Sequence, residues 1–338
     1  MSTGFRILVR SFTPARAWNA VKLWSSYRYS RITKKPVQWG LPASVSIEPT
    51  TSCNLRCPEC PSGLRSFSRP VGMLEEKFFR KMIDGIAPHV SYLTFYFQGE
   101  PYLNPQFTEM VKYAAQKRIY TSTSTNAHFL DDETAKRTVE SGLDRLIISI
   151  DGTTEETYRS YRIGGKLSKV IEGTKNIVKW KKELRSSTPH IVFQFLVVRP
   201  NEHQVKDVKI LAEKLGVDEV LYKTAQVYEF EHGNELIPRE EKYSRYKQMN
   251  DGSWVVKNKM ENGCWKMWHS CVITWDGSVV PCCFDKDAAH RMGTLKNFSM
   301  EKIWFSEPYR KFRAAILHDR KEIDICRNCS EGSLVWVE

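Results

Sequence analysis

Cys53-Asn54-Leu55-Arg56-Cys57-Pro58-Glu59-Cys60 decides how this chain is read. Three thiols at spacing C-x3-C-x2-C follow the apolar run Val45-Ser46-Ile47-Glu48-Pro49, which places them on a loop leaving a buried strand. Three soft ligands on one short loop fit an iron–sulfur cluster better than zinc. A structural zinc site wants four ligands, usually as two pairs, and the nearest histidine, His89, is far off in sequence. Three cysteines around a four-iron cubane leave one iron without a protein ligand. That open iron can bind a small molecule directly.

The chain has 338 residues, enough for about two domains with a sizeable core. No apolar run approaches the roughly 18 residues that a membrane span needs, and no secretory signal is recognisable. Nine cysteines cluster as three, four and two instead of scattering as disulfide partners. That usage reads as metal ligation in a reducing, cytoplasmic setting. The net charge of +12 is uneven, since Met1–Ser46 holds eight Lys and Arg and no Asp or Glu. Phe5, Leu8, Phe12, Trp18, Val21 and Trp24 are interleaved with those cations, and Pro14 interrupts their helical spacing. Three readings stay open for this segment: peripheral contact with an anionic membrane, a mitochondrial-type presequence, or a solvated lead-in packed on the body. Nucleic-acid binding is not supported, because no recognition motif accompanies the charge.

From residue 45 to about 225, strand patterns alternate with helical ones. The strand candidates are Val45–Glu48, Tyr92–Phe97, Tyr120–Ser124, Arg145–Ile150, Ile191–Val198 and Glu219–Lys223. Amphipathic stretches lie between them at Leu74–Ala87, Pro105–Lys117, Asp131–Ser141, Leu167–Leu184 and Gln204–Leu215, with Gly142 and Gly216 as C-caps. Six β-α repeats imply α/β architecture, a parallel sheet with helices outside. Six are too few for a closed eight-stranded barrel, so the expectation is a partial (β/α)6 barrel with its chemistry at the carboxyl ends of the strands.

The cysteine loop and its place in these repeats resemble the signature of radical S-adenosylmethionine (SAM) enzymes. The resemblance implies that Cys53, Cys57 and Cys60 hold a [4Fe-4S] cluster whose open iron chelates SAM. It also implies a 5′-deoxyadenosyl radical that abstracts hydrogen from a substrate. The second strand runs into Gln98-Gly99-Glu100-Pro101, which looks like the family's Gly-Gly-Glu motif for the SAM amino group, with Gln98 replacing the first glycine. By the same similarity Ser149 and Arg162 are candidates for the SAM carboxylate and ribose, and Asn126 for ribose or substrate. Gln194 and Leu196 are placed near adenine. Arg suits a carboxylate because its fork donates two parallel hydrogen bonds. Asp151 is the candidate for touching substrate or moving a proton.

Past residue 226 the repeat stops, and Tyr228–Lys259 reads as a connector. Cys264, Gly277 and Cys282 then form C-x12-G-x4-C, followed by Cys326-Arg327-Asn328-Cys329. This resembles the SPASM and shorter twitch extensions of radical SAM enzymes, which carry auxiliary clusters. Trp275-Asp276-Gly277 between apolar runs is a hairpin signal, with Cys264 and Cys282 expected on its arms. One auxiliary [4Fe-4S] cluster on Cys264, Cys282, Cys326 and Cys329 is implied, with zinc on the same four thiolates as the alternative. Cys271 and Cys283 are left over, either as substitute ligands or as buried small hydrophobes. The domains expected are a basic lead-in (1–42), the partial barrel (43–226), a connector (227–263) and the auxiliary-cluster domain (264–338).

The resemblance therefore implies a radical SAM enzyme acting on a small molecule, a peptide or a lipid precursor, fed by a reductant such as flavodoxin or ferredoxin. The rival readings are an iron–sulfur electron-transfer or scaffold protein and a zinc-stapled binding module.

Overall fold

The computed structural model describes residues 3–257 and 260–329. The tail of the expected C-terminal domain, residues 330–338, lies outside them. In chain order, helices α1 (Thr3–Ser11) and α2 (Pro14–Thr33) precede β1 (Ser44–Ile47). Then follow α3 (Glu76–Ile86), β2 (Tyr92–Thr94), α4 (Phe107–Gln116), β3 (Tyr120–Thr125), α5 (Asp132–Glu140) and β4 (Arg145–Ser149). Helices α6 (Glu155–Tyr161) and α7 (Leu167–Glu183), β5 (His190–Val197), α8 (Asp207–Leu215) and β6 (Glu219–Thr224) complete the repeats. Beyond them come β7 (Tyr246–Gln248), β8 (Trp254–Val256), α9 (Lys266–His269), β9 (Ser270–Ile273), β10 (Ser278–Val280) and β11 (Gly293–Thr294). Helices α10 (Met300–Trp304) and α11 (Glu307–Asp319) close the series.

All six expected strands appear. Pro14 acts as a boundary because it occupies the first turn of α2, where a missing N–H costs nothing, and Thr13 caps that turn. Helix α6 was not anticipated, although Thr154 caps it with Glu155 and Glu156 in its first turn. The stretch read as a connector contains the antiparallel pair β7–β8, each strand three residues long. Strands that short show no period.

The chain forms two compact units. The first comprises residues 3–52, 67–123 and 260–329. Its sheet runs in the order β11-β10-β9-β1-β2-β3. Strands β9, β1, β2 and β3 are mutually parallel, while β10 and β11 turn back antiparallel. Val45, Leu93, Cys271 and Ile273 on one face of this sheet are buried. The second unit comprises residues 53–66 and 124–257, with β4, β5 and β6 parallel and in register, Ser149 opposite Gln194.

His89, in the first unit, titrates under strain. Burial, with Arg16 and Lys22 adding like charge, lowers its pKa from 6.5 to about 4, and its Nε2 is buried without a hydrogen-bond partner. Between those two values the unfolded chain binds a proton that the folded chain refuses. Stability therefore rises with pH across that window and is lost as pH falls below 6.5. The expected loss on acidification to the lower value is on the order of 3 kcal/mol. Denaturant midpoints of wild type and His89→Phe measured across this range check it. A slope no shallower in His89→Phe than in wild type refutes the assignment.

Candidate iron–sulfur sites

The first cysteine loop lies in the second unit. Cys57 is buried while Cys53 and Cys60 are partly exposed, and no disulfide joins any of the nine cysteines, all of which are among the described residues. The three pack against an apolar cluster that includes Leu55, Tyr161, Val198, Val227 and Tyr246. The backbone turns tightly here: Cys60 N–H donates to Cys57 O at 3.3 Å, and Leu64 N–H donates to Cys60 O at 2.8 Å. Gly63 is required in this turn, since a Cβ there would stand 2.6 Å from Cys57 N and O. Sequence reasoning missed Gly63, because only the fold shows what it faces.

Polar donors aim at the sulfurs. Leu55 N–H donates to Cys53 Sγ at 3.4 Å, Asn126 Nδ2 lies 3.9 Å from Cys53 Sγ, and Arg162 Nη1 lies 3.8 Å from Cys57 Sγ. Asn126 also donates to Asn54 Oδ1 at 2.7 Å. Such donors suit a thiolate more than a neutral thiol. Arg162 Nε pairs with the fully buried Asp151 carboxylate, whose other oxygen accepts from Leu196 N–H at 2.8 Å. Asn201 Nδ2 donates to Asp151 O at 3.0 Å and to Leu196 O at 2.9 Å. Burial pushes the Asp151 carboxyl up, and Arg162 and the Leu196 N–H oppose it. Burial alone would weaken the Arg162 cation, but Asp151 and Cys57 outweigh it and hold the proton on. Burial likewise raises the Cys57 thiol, with Arg162 opposing. Ser149 Oγ lies 3.5 Å from Ser124 Oγ at the ends of β4 and β3.

Gln98, Gly99 and Glu100 belong to the first unit, past the end of β2. Gly99 has φ +75°, and a Cβ there would meet Thr50 O at 2.2 Å. Glu100 N–H donates to Ser52 O at 2.8 Å, and its buried carboxylate caps the turn Pro101–Leu103. The strand-end motif is thus clasped to residues 50–52, which lead directly into Cys53.

The C-terminal thiols also lie in the first unit. Cys282 follows β10, and Cys326 and Cys329 flank the last described turn, where Cys329 N–H donates to Cys326 O at 3.0 Å. Cys264 does not stand on the hairpin arm as expected, because α9 intervenes between it and β9. Arg320 Nη2 donates to Cys329 Sγ at 3.3 Å, and Phe284 N–H donates to Cys282 Sγ at 3.4 Å. Burial raises the Cys282 thiol, with Cys283, Cys264 and Cys329 adding to it. Burial raises Cys326 to about 11, with Arg320 opposing and Cys329 and Cys264 adding. Cys282 and Cys326 therefore both lie within electrostatic reach of Cys264 and Cys329. Among the described residues, no three His, Cys, Asp or Glu side chains close on a single metal ion. A cubane spreads its thiolates wider than one ion does, because each thiolate binds a different iron. The donor set of four cysteines fits such a cluster.

Of the two leftover cysteines, Cys271 is buried in β9 and its thiol is raised to about 12 by that burial. Cys283 is exposed, which corrects the expectation that both are buried. A cavity of about 270 Å³ in this unit has Ser44, Ser46, Thr94, Ser270, Lys266 and His269 on its walls and no carboxylate. Tyr92, Tyr96, Phe97, Val272 and the thiols Cys271, Cys282 and Cys283 complete its lining.

Comparison with known proteins agrees with this layout. The radical SAM superfamily profile matches residues 47–209, and the SPASM iron–sulfur cluster-binding domain profile matches residues 264–330. The chain is 26% identical over 294 residues to a tungsten-containing aldehyde ferredoxin oxidoreductase cofactor-modifying protein of Pyrococcus furiosus, covering 79% of this chain and 82% of that one. It is 24% identical over 307 residues to an AdoMet-dependent heme synthase of Nitratidesulfovibrio vulgaris, covering 80% of each. The fold is similar to Streptococcus suis SuiB bound to precursor peptide SuiA. The TM-score is 0.66 at 12% identity, over 94% of this chain and 75% of that one. With its two matches spanning most of the sequence, the chain belongs to the radical SAM superfamily and carries a C-terminal SPASM iron–sulfur domain.

Proposed function

We propose that this radical SAM enzyme oxidises an unactivated carbon of its substrate, with Cys53, Cys57 and Cys60 holding the catalytic cluster and Cys264, Cys282, Cys326 and Cys329 the auxiliary one. The observation that carries the first assignment is a three-thiol loop in an apolar cluster, with donors turned toward its sulfurs. When bound, the cluster supplies the electron that splits SAM and releases a 5′-deoxyadenosyl radical, chemistry that side chains alone do not perform. The chain's own residues bind, orient and exclude water. Asp151 is saturated by Arg162 and the Leu196 N–H, so its role here is to hold the Arg162 fork in place for the SAM carboxylate. Ser149, Asn126 and Leu196, with Gln98, Gly99 and Glu100, are assigned further SAM contacts on the strength of the motif resemblance alone. Four thiolates in the tail saturate one auxiliary cubane, which suits electron transfer and hence net oxidation.

The relatives' names divide the substrate classes among a metal cofactor, a heme and a precursor peptide. The electron source proposed is a flavodoxin or ferredoxin, and the setting is cytoplasmic against an anionic membrane surface.

Replacing Cys53, Cys57 and Cys60 together by Ala is expected to abolish reductive formation of 5′-deoxyadenosine while about four irons per chain remain. Persisting 5′-deoxyadenosine would sink the first site, and zinc in place of the remaining iron would sink the second. Asp151→Asn keeps the size but removes the charge that fixes Arg162. It is expected to weaken SAM binding at least roughly tenfold, the scale on which a binding group loses affinity when the residue that orients it is removed. Equilibrium binding of SAM to the reconstituted variant measures this, and unchanged affinity refutes the positioning role. Net oxidation predicts a product lighter by two hydrogens with one SAM consumed per turnover. Mass spectrometry and SAM counting decide it, and an unchanged mass with SAM regenerated means isomerisation instead.

A further inference from the structure

Helix α2 is built inside out. Its buried face carries Arg16, Asn19, Ser26 and Ser30, with Leu23 the one apolar member. The Arg16 guanidinium donates to the carbonyls of Ser11, Ala87, Lys117 and Arg118 at 2.6–3.2 Å. Ala87 and Lys117 are the residues that close α3 and α4, so the cation sits at the negative ends of two helices. Asn19 clasps the backbone of Leu41 through both amide atoms at 2.8 Å, and Ser30 Oγ does the same to Val37 at 3.0 Å. These contacts fix the helix rigidly to its unit.

The outward face is the apolar one. Trp18, Val21, Trp24 and Ile32 are 63, 50, 60 and 76% exposed, and Tyr29 lies among them. Helix α1 adds exposed Phe5, Leu8 and Val9, with Phe12 just past its end. Arg6, Lys22, Arg28, Arg31, Lys34 and Lys35 are interleaved with these side chains in sequence, Arg31 paired with Glu261, and no acid occurs before residue 48. Scattered exposed apolar residues are ordinary, but a row at helical spacing marks an interaction surface. Packing on the body cannot be the reason for this row, because the face that packs is the polar one.

We infer that α1 and α2 form a rigid plate that docks on an anionic lipid surface, helices in the plane, with the Trp18 and Trp24 rings among the headgroups. This extends the membrane setting of the proposed function and rests on none of its radical chemistry. A second copy of the chain fits the face poorly, since a symmetric interface brings the same acid-free, basic segment against itself.

The test is co-sedimentation of the full chain with phosphatidylcholine vesicles, with and without phosphatidylglycerol. Binding is expected only with phosphatidylglycerol. It should fall at least roughly tenfold when salt rises from about 0.1 to about 1 M, which shortens the screening length from about 10 to about 3 Å. Trp18→Ser with Trp24→Ser removes exposed side chains only, so the variant is expected to keep its melting temperature and its 5′-deoxyadenosine formation while losing vesicle binding. Brominated lipid should quench wild-type fluorescence more than that of the variant. Equal sedimentation of wild type and variant overturns the proposal, as does a dimer in gel filtration that the same substitutions dissolve without any vesicle binding. If wild type forms no 5′-deoxyadenosine yet still binds vesicles, the radical reading fails and the plate stands.

Discussion

The Asp151–Arg162 pair is the constraint on which the unit carrying the first cysteine loop depends. A fully buried carboxylate is costly unless it is paired and hydrogen-bonded, and here each oxygen has a donor. Arg162 takes one oxygen, the Leu196 N–H takes the other, and Asn201 binds the backbone carbonyl behind them. Those bonds close only when β4 and β5 are in their observed register, with Ser149 opposite Gln194. Arg162 then has a fixed direction, and its Nη1 faces Cys57. The placement of one sulfur is thus tied to the pairing of two strands.

In the other unit the equivalent constraint joins the two ends of the chain. Strand β9 lies parallel to β1, Ser44 opposite Ser270, so residues more than two hundred apart share one sheet. Buried Glu48 at the end of β1 receives both arms of Arg69 and the Trp275 N–H from the β9–β10 turn. Trp275 Nε1 donates to Pro70 O, and its ring covers Gly72, where a Cβ would lie 2.5 Å away. The C-terminal hairpin is therefore a structural part of the unit that carries β1. Its signal, Trp275-Asp276-Gly277, was legible as a turn, but a turn motif says nothing of which strand it will lie beside.

What the sequence disclosed follows the same division. The six strands and the thiol spacings were legible because local periodicity and soft ligands carry their meaning wherever they stand. Asp151 was legible as a strand-end acid but not as a saturated anchor, because that depends on burial and on Asn201, fifty residues later. Gly63 and the exposure of Cys283 were hidden for the same reason. Helix α2 misled hydropathy most directly. The usual inference puts Trp18 and Trp24 inside, whereas Arg16 takes the inner face because carbonyls at two helix ends wait there for donors.

Buried arginine is the recurring means by which these tertiary choices are made. Arg16 seats α2, Arg69 holds the hairpin turn, Arg162 aims at Cys57, and Arg320 spans Gly263 O and Cys329 Sγ. Arg313 joins Met267 O to Trp304 O while lying over the Trp304 and Tyr309 rings. Each site asks for several donors in a plane, delivered to acceptors on separate segments. Lysine is a compact point charge on a flexible stem and lacks that fork. An apolar side chain would leave the carbonyls unpaired. A chain of net charge +12 thus places part of its positive charge inside as structure, and the arginines that order the interior leave the apolar rings of α2 free to face outward.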